Sequence, residues 1–296
     1  MGLRIRTNIQ SMNAQRRLAE SSRASGNSME KLSSGYRINK SADDAAGLAI
    51  SEKLRAGIRS EKQAKRNAND GISMLQVAEG SMNEVSNILI RMREISTQAA
   101  SDTITNTERE FTNREYRELV SEIDRISNTT DFNGIKLLKG LEGNEGMSSE
   151  VLSLHVGRGS SYEEGSNVDT IEVNIEEMKF NSDTLGLVDS NIGPEEIGGD
   201  FERATAAQQL DTIDNALNTL ASMRATVGAK QNRLNSTIRN LDVSIENQSA
   251  TQSRIRDVDY ASETAEYTQS NILKQGGVSV LAQSNSLPEL ALGLLR

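Results

Sequence analysis

Residues 210–245 read LDTIDNALNTLASMRATVGAKQNRLNSTIRNLDVSI, and the spacing of their apolar positions decides the fold. Leu210, Ile213, Leu217, Leu220, Met223, Val227, Leu234, Ile238, Leu241 and Ile245 step mostly by threes and fours, the period of a coiled-coil seam. Carried on, the register places Gln248 and Gln252 on the seam before Ile255 and Val258 restore it. Buried amides cost stability but fix register. The spacing predicts one uninterrupted helix from about Arg203 to Asn271, on the order of 100 Å long.

The N-terminal half carries the complementary stripe: Ile72, Leu75, Ala78, Met82, Val85, Leu89, Met92, Ile95 and Ala99. A shorter amphipathic stretch, Glu110 to Ile126, contributes Phe111, Leu119, Ile123 and Ile126. A weaker stripe over residues 1 to about 32 (Ile5, Ile9, Met12, Leu18, Met29, Leu32) predicts a further helix. It breaks at Ser33-Ser34-Gly35, and Ser41-Ala42-Asp43-Asp44 caps the helix beginning at Ala45. The two prolines, Pro194 and Pro288, leave long helices unobstructed elsewhere. These features predict a mainly α chain: a long antiparallel helical rod or coiled-coil bundle built from both chain ends.

The middle is different. Asn133-Gly134 signals a tight turn before a short strand at Ile135 to Leu138. Leu152, Leu154 and Val156 alternate with polar residues, as do Ile171, Val173 and Ile175 with Glu172, Asn174 and Glu176. The reading is a small β-hairpin region with no large outer domain. The expected organisation is an N-terminal arm (1–44), the N-terminal half of a rod (45–140), a hairpin and loop region (141–202), the C-terminal half of the rod (203–255) and a C-terminal arm (256–296).

Composition narrows the chemistry. With 3% aromatics, no Trp and no Cys in 296 residues, the core is Leu, Ile, Val, Met and Ala, and no thiolate metal site or disulfide can form. The single histidine, His155, falls on the polar side of an alternating strand without acid–base partners. No phosphate loop, zinc-protease helix, nucleophile elbow or dinucleotide fingerprint is present. The chain is therefore expected to have no catalytic or metal-binding residues and no cofactor.

Charge is unevenly spread: residues 1–66 hold 14 Lys or Arg against 6 acids, and residues 141–202 hold 2 against 15. With one aromatic, Tyr36, and no nucleic-acid motif, the basic arm reads as solvated helix faces, and no nucleic-acid partner is expected. Met1 to Glu20 contain no apolar run of signal-peptide length, and no stretch reaches membrane-span length, so no membrane insertion is expected.

Leu32-Ser33-Ser34-Gly35-Tyr36-Arg37-Ile38-Asn39, followed by Asp43-Asp44-Ala45-Ala46-Gly47-Leu48-Ala49-Ile50, closely resembles bacterial flagellin. Asn69-Asp70-Gly71-Ile72-Ser73-Met74-Leu75-Gln76, Glu122-Ile123-Asp124-Arg125-Ile126 with Phe132-Asn133-Gly134, and the ending from Asn271-Ile272-Leu273 through Leu281-Ala282-Gln283 to Leu294-Leu295-Arg296 support the resemblance in both arms. It implies a subunit exported unfolded through the flagellar type III apparatus, without a cleaved signal, to an extracellular filament. The implied partners are further copies of the chain, the cap and hook-junction proteins, and an export chaperone.

The resemblance further implies that the extreme arms order as paired helices on assembly. Ile5, Ile9, Leu273, Leu281, Leu294, Leu295 and Arg296 would belong to this terminal assembly arm. It also implies a ridge of Arg91, Glu94, Ile95 and Glu115 for subunit contact and for the flagellin-sensing Toll-like receptor, although Ile90 replaces a usual Gln. Gly276-Gly277 stands where the family usually has Ala-Gly. Alternative readings are a hook-filament junction protein, which shares the arm logic, or another coiled-coil surface-binding protein.

Overall fold

The computed structural model describes residues 7–141, 151–159, 168–188, 190–194 and 203–293. Ile5, Leu294, Leu295 and Arg296 lie outside the described residues, as does much of the 141–202 region. Five helices carry the fold: α1 (Ile9–Ser34), α2 (Ala45–Ala99), α3 (Asn106–Thr129), α4 (Arg203–Arg256) and α5 (Tyr260–Gly293). Among the described residues between α3 and α4 are four short strands: β1 (Asp131–Phe132), β2 (Ile135–Lys136), β3 (Val151–His155) and β4 (Thr170–Asn174). Each undescribed internal segment is at most nine residues long, so the sequence has no room there for a large outer domain.

Two compact units form, residues 1–58 with 245–296, and residues 59–244. In the larger unit α2, α3, α4 and the hairpins share one core. The predicted stripes are what it buries: Leu75, Ala78, Met82, Val85, Leu89, Met92, Ile95 and Ala99 from α2 meet Ile213, Leu220, Val227 and Leu234 from α4. Polar pairs along this seam show its antiparallel sense. Lys65 Nζ bonds Asp242 Oδ1 at 2.6 Å, Gln231 Nε2 donates to Glu79 Oε2 at 2.9 Å, and Arg93 Nε donates to Asp214 Oδ1 at 2.7 Å.

Helix α3 starts at a capping box, with Thr105 N donating to Glu108 Oε2 at 2.8 Å and Glu108 N donating to Thr105 Oγ1. The turn before it is closed by the buried Arg109, whose guanidinium donates to the carbonyls of Ala99 and Ser101. The buried face of α3 includes Asn113, Tyr116 and Ile123, whereas Phe111, expected in the stripe, is exposed. The apolar pattern misled there because the inward positions hold a loop. Asn113 accepts from Ile192 N and donates to the Pro194 carbonyl, and Tyr116 OH donates to Ser190 Oγ at 2.9 Å. Burial pushes the Tyr116 phenol pKa up, against the smaller opposing effect of that hydrogen bond.

The Asn-Gly signal forms the β1–β2 turn, with φ 52° at Asn133 and 84° at Gly134, and the pairing puts Phe132 opposite Ile135. Two successive positive φ values are those of the hairpin-favoured type I′ turn. The strand ends at Lys136, earlier than expected, and Leu137 and Leu138 turn into the core. β3 and β4 pair antiparallel from Val151↔Asn174 to His155↔Thr170. Ile171, Val173 and Ile175 face the core as the alternation predicts, and His155 is exposed. Asn67 Nδ2 donates to the His155 carbonyl, fastening β3 to α2. Gly71 lies directly under Leu154: a Cβ there would meet Leu154 Cδ1 at 2.5 Å, so the absent side chain admits the hairpin.

The expected single helix from Arg203 to Asn271 is interrupted at Asp257–Asp259, which corrects the sequence reading. In the smaller unit this segment pairs with the end of α1. Tyr36 and Asp257 form an antiparallel bridge, Arg37 N donates to the Arg256 carbonyl at 2.7 Å, and Val258 N donates to the Gly35 carbonyl at 3.0 Å. These bonds take backbone groups that helix continuation would need. Asp259 then caps α5, its Oδ1 accepting from Ala261 N at 2.9 Å.

Candidate functional site

Helices α1 and α5 form a paired hairpin in the smaller unit. The two helices lie close together but bury little apolar side chain between them. Asn8 Nδ2 donates to the Ser284 carbonyl and Ser11 Oγ donates to Asn285 Oδ1, each at 2.8 Å, while Lys31 and Glu263 form an ion pair at 3.5 Å. Among the described residues of this unit, the buried apolar side chains are Ala14, Ile38 and Ile58. The helix faces meet largely through small polar residues: Ser11, Ser25 and Ser28 from α1 and Ser284 from α5.

The apolar side chains that could have filled this seam point outward. Ile9, Met12, Ile272, Leu273, Val278 and Val280 are exposed, and Leu281 is half-buried. An open groove of about 1120 Å³ runs along the pair, lined by Ala14, Arg17, Leu273, Gly276 and Val280 among others. Apolar side chains left open along a helix pair make this face a candidate for contact with another molecule.

Gly276 contributes an unobstructed stretch of that groove, with nothing within 4 Å of a Cβ placed on it, and it sits inside α5. Gly276→Ala should therefore stabilise the helix by about 1 kcal/mol and raise the melting temperature of the assembled protein. A fall would show that a neighbouring molecule needs the space. Gly277 differs, because a Cβ there would touch Leu18 Cδ1 at 3.4 Å.

At the foot of the hairpin, Arg256 ties the two chain crossings together. Its guanidinium lies 4.5 Å from the Tyr36 ring centroid and bonds Glu52 Oε1 at 2.6 Å. Arg37 Nη2 donates to the Ile255 carbonyl at 2.6 Å. The sequence reading missed this clasp, whose one available signal was Tyr36 as the sole aromatic of a basic arm. The seam amides Gln248 and Gln252 are half-buried, and Gln252 Nε2 reaches the Ser51 carbonyl at 3.4 Å.

In the larger unit, Arg91 lies between two acids. Its Nε and Nη2 donate to Glu115 Oε1 at 3.0 and 2.8 Å, and Nη1 donates to Glu94 Oε2 at 3.1 Å. The hydrogen bond to Glu115 first, then that to Glu94, raises the guanidinium pKa further and keeps it charged. On a neighbouring face Arg93 holds the Asp214 carboxyl below its ordinary value through their hydrogen bond. Ile95, expected with Arg91, Glu94 and Glu115, is 1% exposed. It belongs to the core stripe with Met92 and Ala99 and supports the ridge from beneath. Ile90 stays at the surface beside Arg91.

Among the described residues no three His, Asp or Glu side chains are placed to hold a metal ion, and no helix is long and apolar enough to cross a membrane.

Comparison with known proteins agrees with this architecture. Residues 5–142 match the family model of the bacterial flagellin N-terminal helical region, and residues 210–295 match that of the C-terminal helical region. The chain is 41% identical over 292 residues to a flagellin of Halalkalibacterium halodurans, covering 99% of each protein. It is 38% identical over 295 residues to the flagellar filament 33 kDa core protein of Treponema phagedenis, again covering 99% of each. A solved structure of a putative flagellar hook-associated protein from Vibrio parahaemolyticus superposes with a TM-score of 0.58 at 17% identity, covering 73% of this chain and all of that one. That likeness shows a common fold. The full-length identities go further, and with two family regions matched at the two ends that build the helical seam, the chain belongs to the bacterial flagellin family.

Proposed function

We infer that this chain is the structural subunit of a bacterial flagellar filament, assembling by self-association of its terminal arms and serving motility. The observation that carries the reading is the smaller unit: two helices spanning most of the chain's ends bury almost no apolar side chains and turn Ile9, Leu273 and Val280 to solvent. Such a pair gains its missing burial from further copies of itself, at roughly 25 cal/mol per Å² of apolar surface covered. Ile5, Leu294, Leu295 and Arg296, outside the described residues, belong to the same two ends of the sequence. The hook-junction alternative draws support from a likeness of fold, whereas the flagellin relatives match end to end.

The test is seeded growth: purified protein added to short filament fragments should yield long filaments in electron micrographs. Protein that stays monomeric under seeding would overturn the reading.

Export in an unfolded state through a type III channel, escort by a chaperone and growth beneath a cap follow from the filament reading as further proposals. Their destination is the extracellular flagellum.

The Arg91–Glu94–Glu115 ridge supports a second role in subunit contact and in recognition by the flagellin-sensing Toll-like receptor. In the free chain these ion pairs are exposed and contribute little. Covered by a partner, the same charges matter more. Arg91→Ala should leave monomer melting nearly unchanged, lower the melting temperature of filaments, and weaken receptor signalling on the order of tenfold. Wild-type values in both of the latter assays would reduce the ridge to solvated surface.

A further inference from the structure

The chain holds nine methionines and no cysteine, so thioether sulfur is its main oxidisable group. The structure sorts these residues sharply. Met74, Met82, Met92 and Met178 are buried in the larger unit and Met223 is half-buried, while Met1 and Met147 lie outside the described residues. Met12 and Met29, both on α1, are 55% and 58% exposed. The two open methionines thus sit on the helix pair that lacks a buried apolar seam, and Met12 lies one turn from the equally exposed Ile9.

We propose that Met12 and Met29 are modification sites at which a peroxide-class oxidant switches off self-assembly. The proposal rests on the filament reading and adds to it a chemical control. Sulfur attacks one peroxide oxygen, the O–O bond breaks, the thioether gains that oxygen as a sulfoxide, and the other oxygen leaves as water. The sulfur loses two electrons and the peroxide accepts them. The product replaces a flexible apolar tip with a strong hydrogen-bond acceptor.

In the free chain both sulfoxides are solvated and cost the fold little. When a neighbouring copy covers α1, each must shed its water, weakening subunit addition roughly tenfold or more per site. Assembled filaments shield the same sulfurs, so the control acts on subunits before they add. Reduction of the sulfoxide restores the thioether, so the modification is reversible.

The experiment treats full-length monomer with graded hydrogen peroxide, quenches it, maps added oxygen by peptide mass spectrometry, and then measures seeded polymerisation. Met12 and Met29 should oxidise well before Met74, Met82, Met92 and Met178, with polymerisation lost in step and recovered after sulfoxide reductase. The Met12→Leu/Met29→Leu protein should keep assembling at doses that stop the wild type. Met12→Gln/Met29→Gln, polar without any oxidant, should remain a helical monomer that adds poorly to seeds. Normal polymerisation by protein carrying both sulfoxides, or by the Gln variant, would overturn the inference while leaving the filament reading intact. So would loss of assembly in the Leu variant at the wild-type dose. Failure of untreated protein to polymerise would instead remove the filament reading, and this inference with it.

Discussion

A chain shortened by removing residues 281–296 should fold, remain soluble and form no filaments. The larger unit, residues 59–244, keeps its whole core, because every residue of its hydrophobic cluster, with those packed against it, lies between Ala68 and Ile238. The deletion takes Leu281, and it removes the Ser284 carbonyl and Asn285 side chain that Asn8 and Ser11 grip. It therefore releases the free end of the α1–α5 pair. Sedimentation and circular dichroism would check it: a cooperative melt near that of the full chain, with no pelletable polymer after seeding. Filaments of normal stability would place the assembly surface elsewhere. For the full chain, helix content should rise on polymerisation, since ordering residues costs about 1–2 kcal/mol each and the arms bury little apolar side chain to offset it.

Leu89→Ala should have the largest effect on stability. Leu89 is completely buried in α2 within the shared core of the larger unit. Truncating such a side chain costs about 2–5 kcal/mol from lost burial and the cavity left behind. That is a large share of a typical domain's ~5–15 kcal/mol, and in a unit of this size it corresponds to a fall of roughly 5–15 °C in melting temperature. Ile90→Ala, one residue on but at the surface, serves as the control and should cost about 1 kcal/mol or less. Similar losses at both positions would mean that the α2 stripe is not the core.

The elements legible in the sequence are those whose signal is local and periodic. The α2 and α4 stripes and the inward face of β4 follow from spacing, and the Asn133-Gly134 turn and the cap before Ala45, where Asp44 Oδ1 accepts from Gly47 N at 2.9 Å, follow from residue type. Ile95 shows the finer limit: read both as part of the apolar stripe and as part of the charged ridge, it is buried in step with Met92 and Ala99, as the stripe required. Phe111 shows another. Its apolar character suggested burial, yet Asn113 and Tyr116 occupy the inward positions because their polar ends latch residues 190–194.

The break at Asp257–Asp259 depends on a partner 221 positions away, the strand-like turn at Tyr36. The seam pattern runs across it, and only the capping potential of Asp259 marks it locally. The clasp around Arg256 was hidden for the same reason, since Tyr36, Glu52 and Arg256 meet only once the chain has returned on itself.

The pairing of α1 with α5 sets a schedule for the chain's own making. As a ribosome releases the protein from its N-terminus, α1 is among the first segments out and its main helical partner is the last. For nearly the whole of synthesis the N-terminal arm has nothing to close against, and the clasp at Tyr36 must wait for Asp257. Closing so long a loop carries an entropic cost that local helices do not face. The N-terminal arm is thereby left open until α5 has been made, a delay written into the order of the segments, while the larger unit can close its own core earlier.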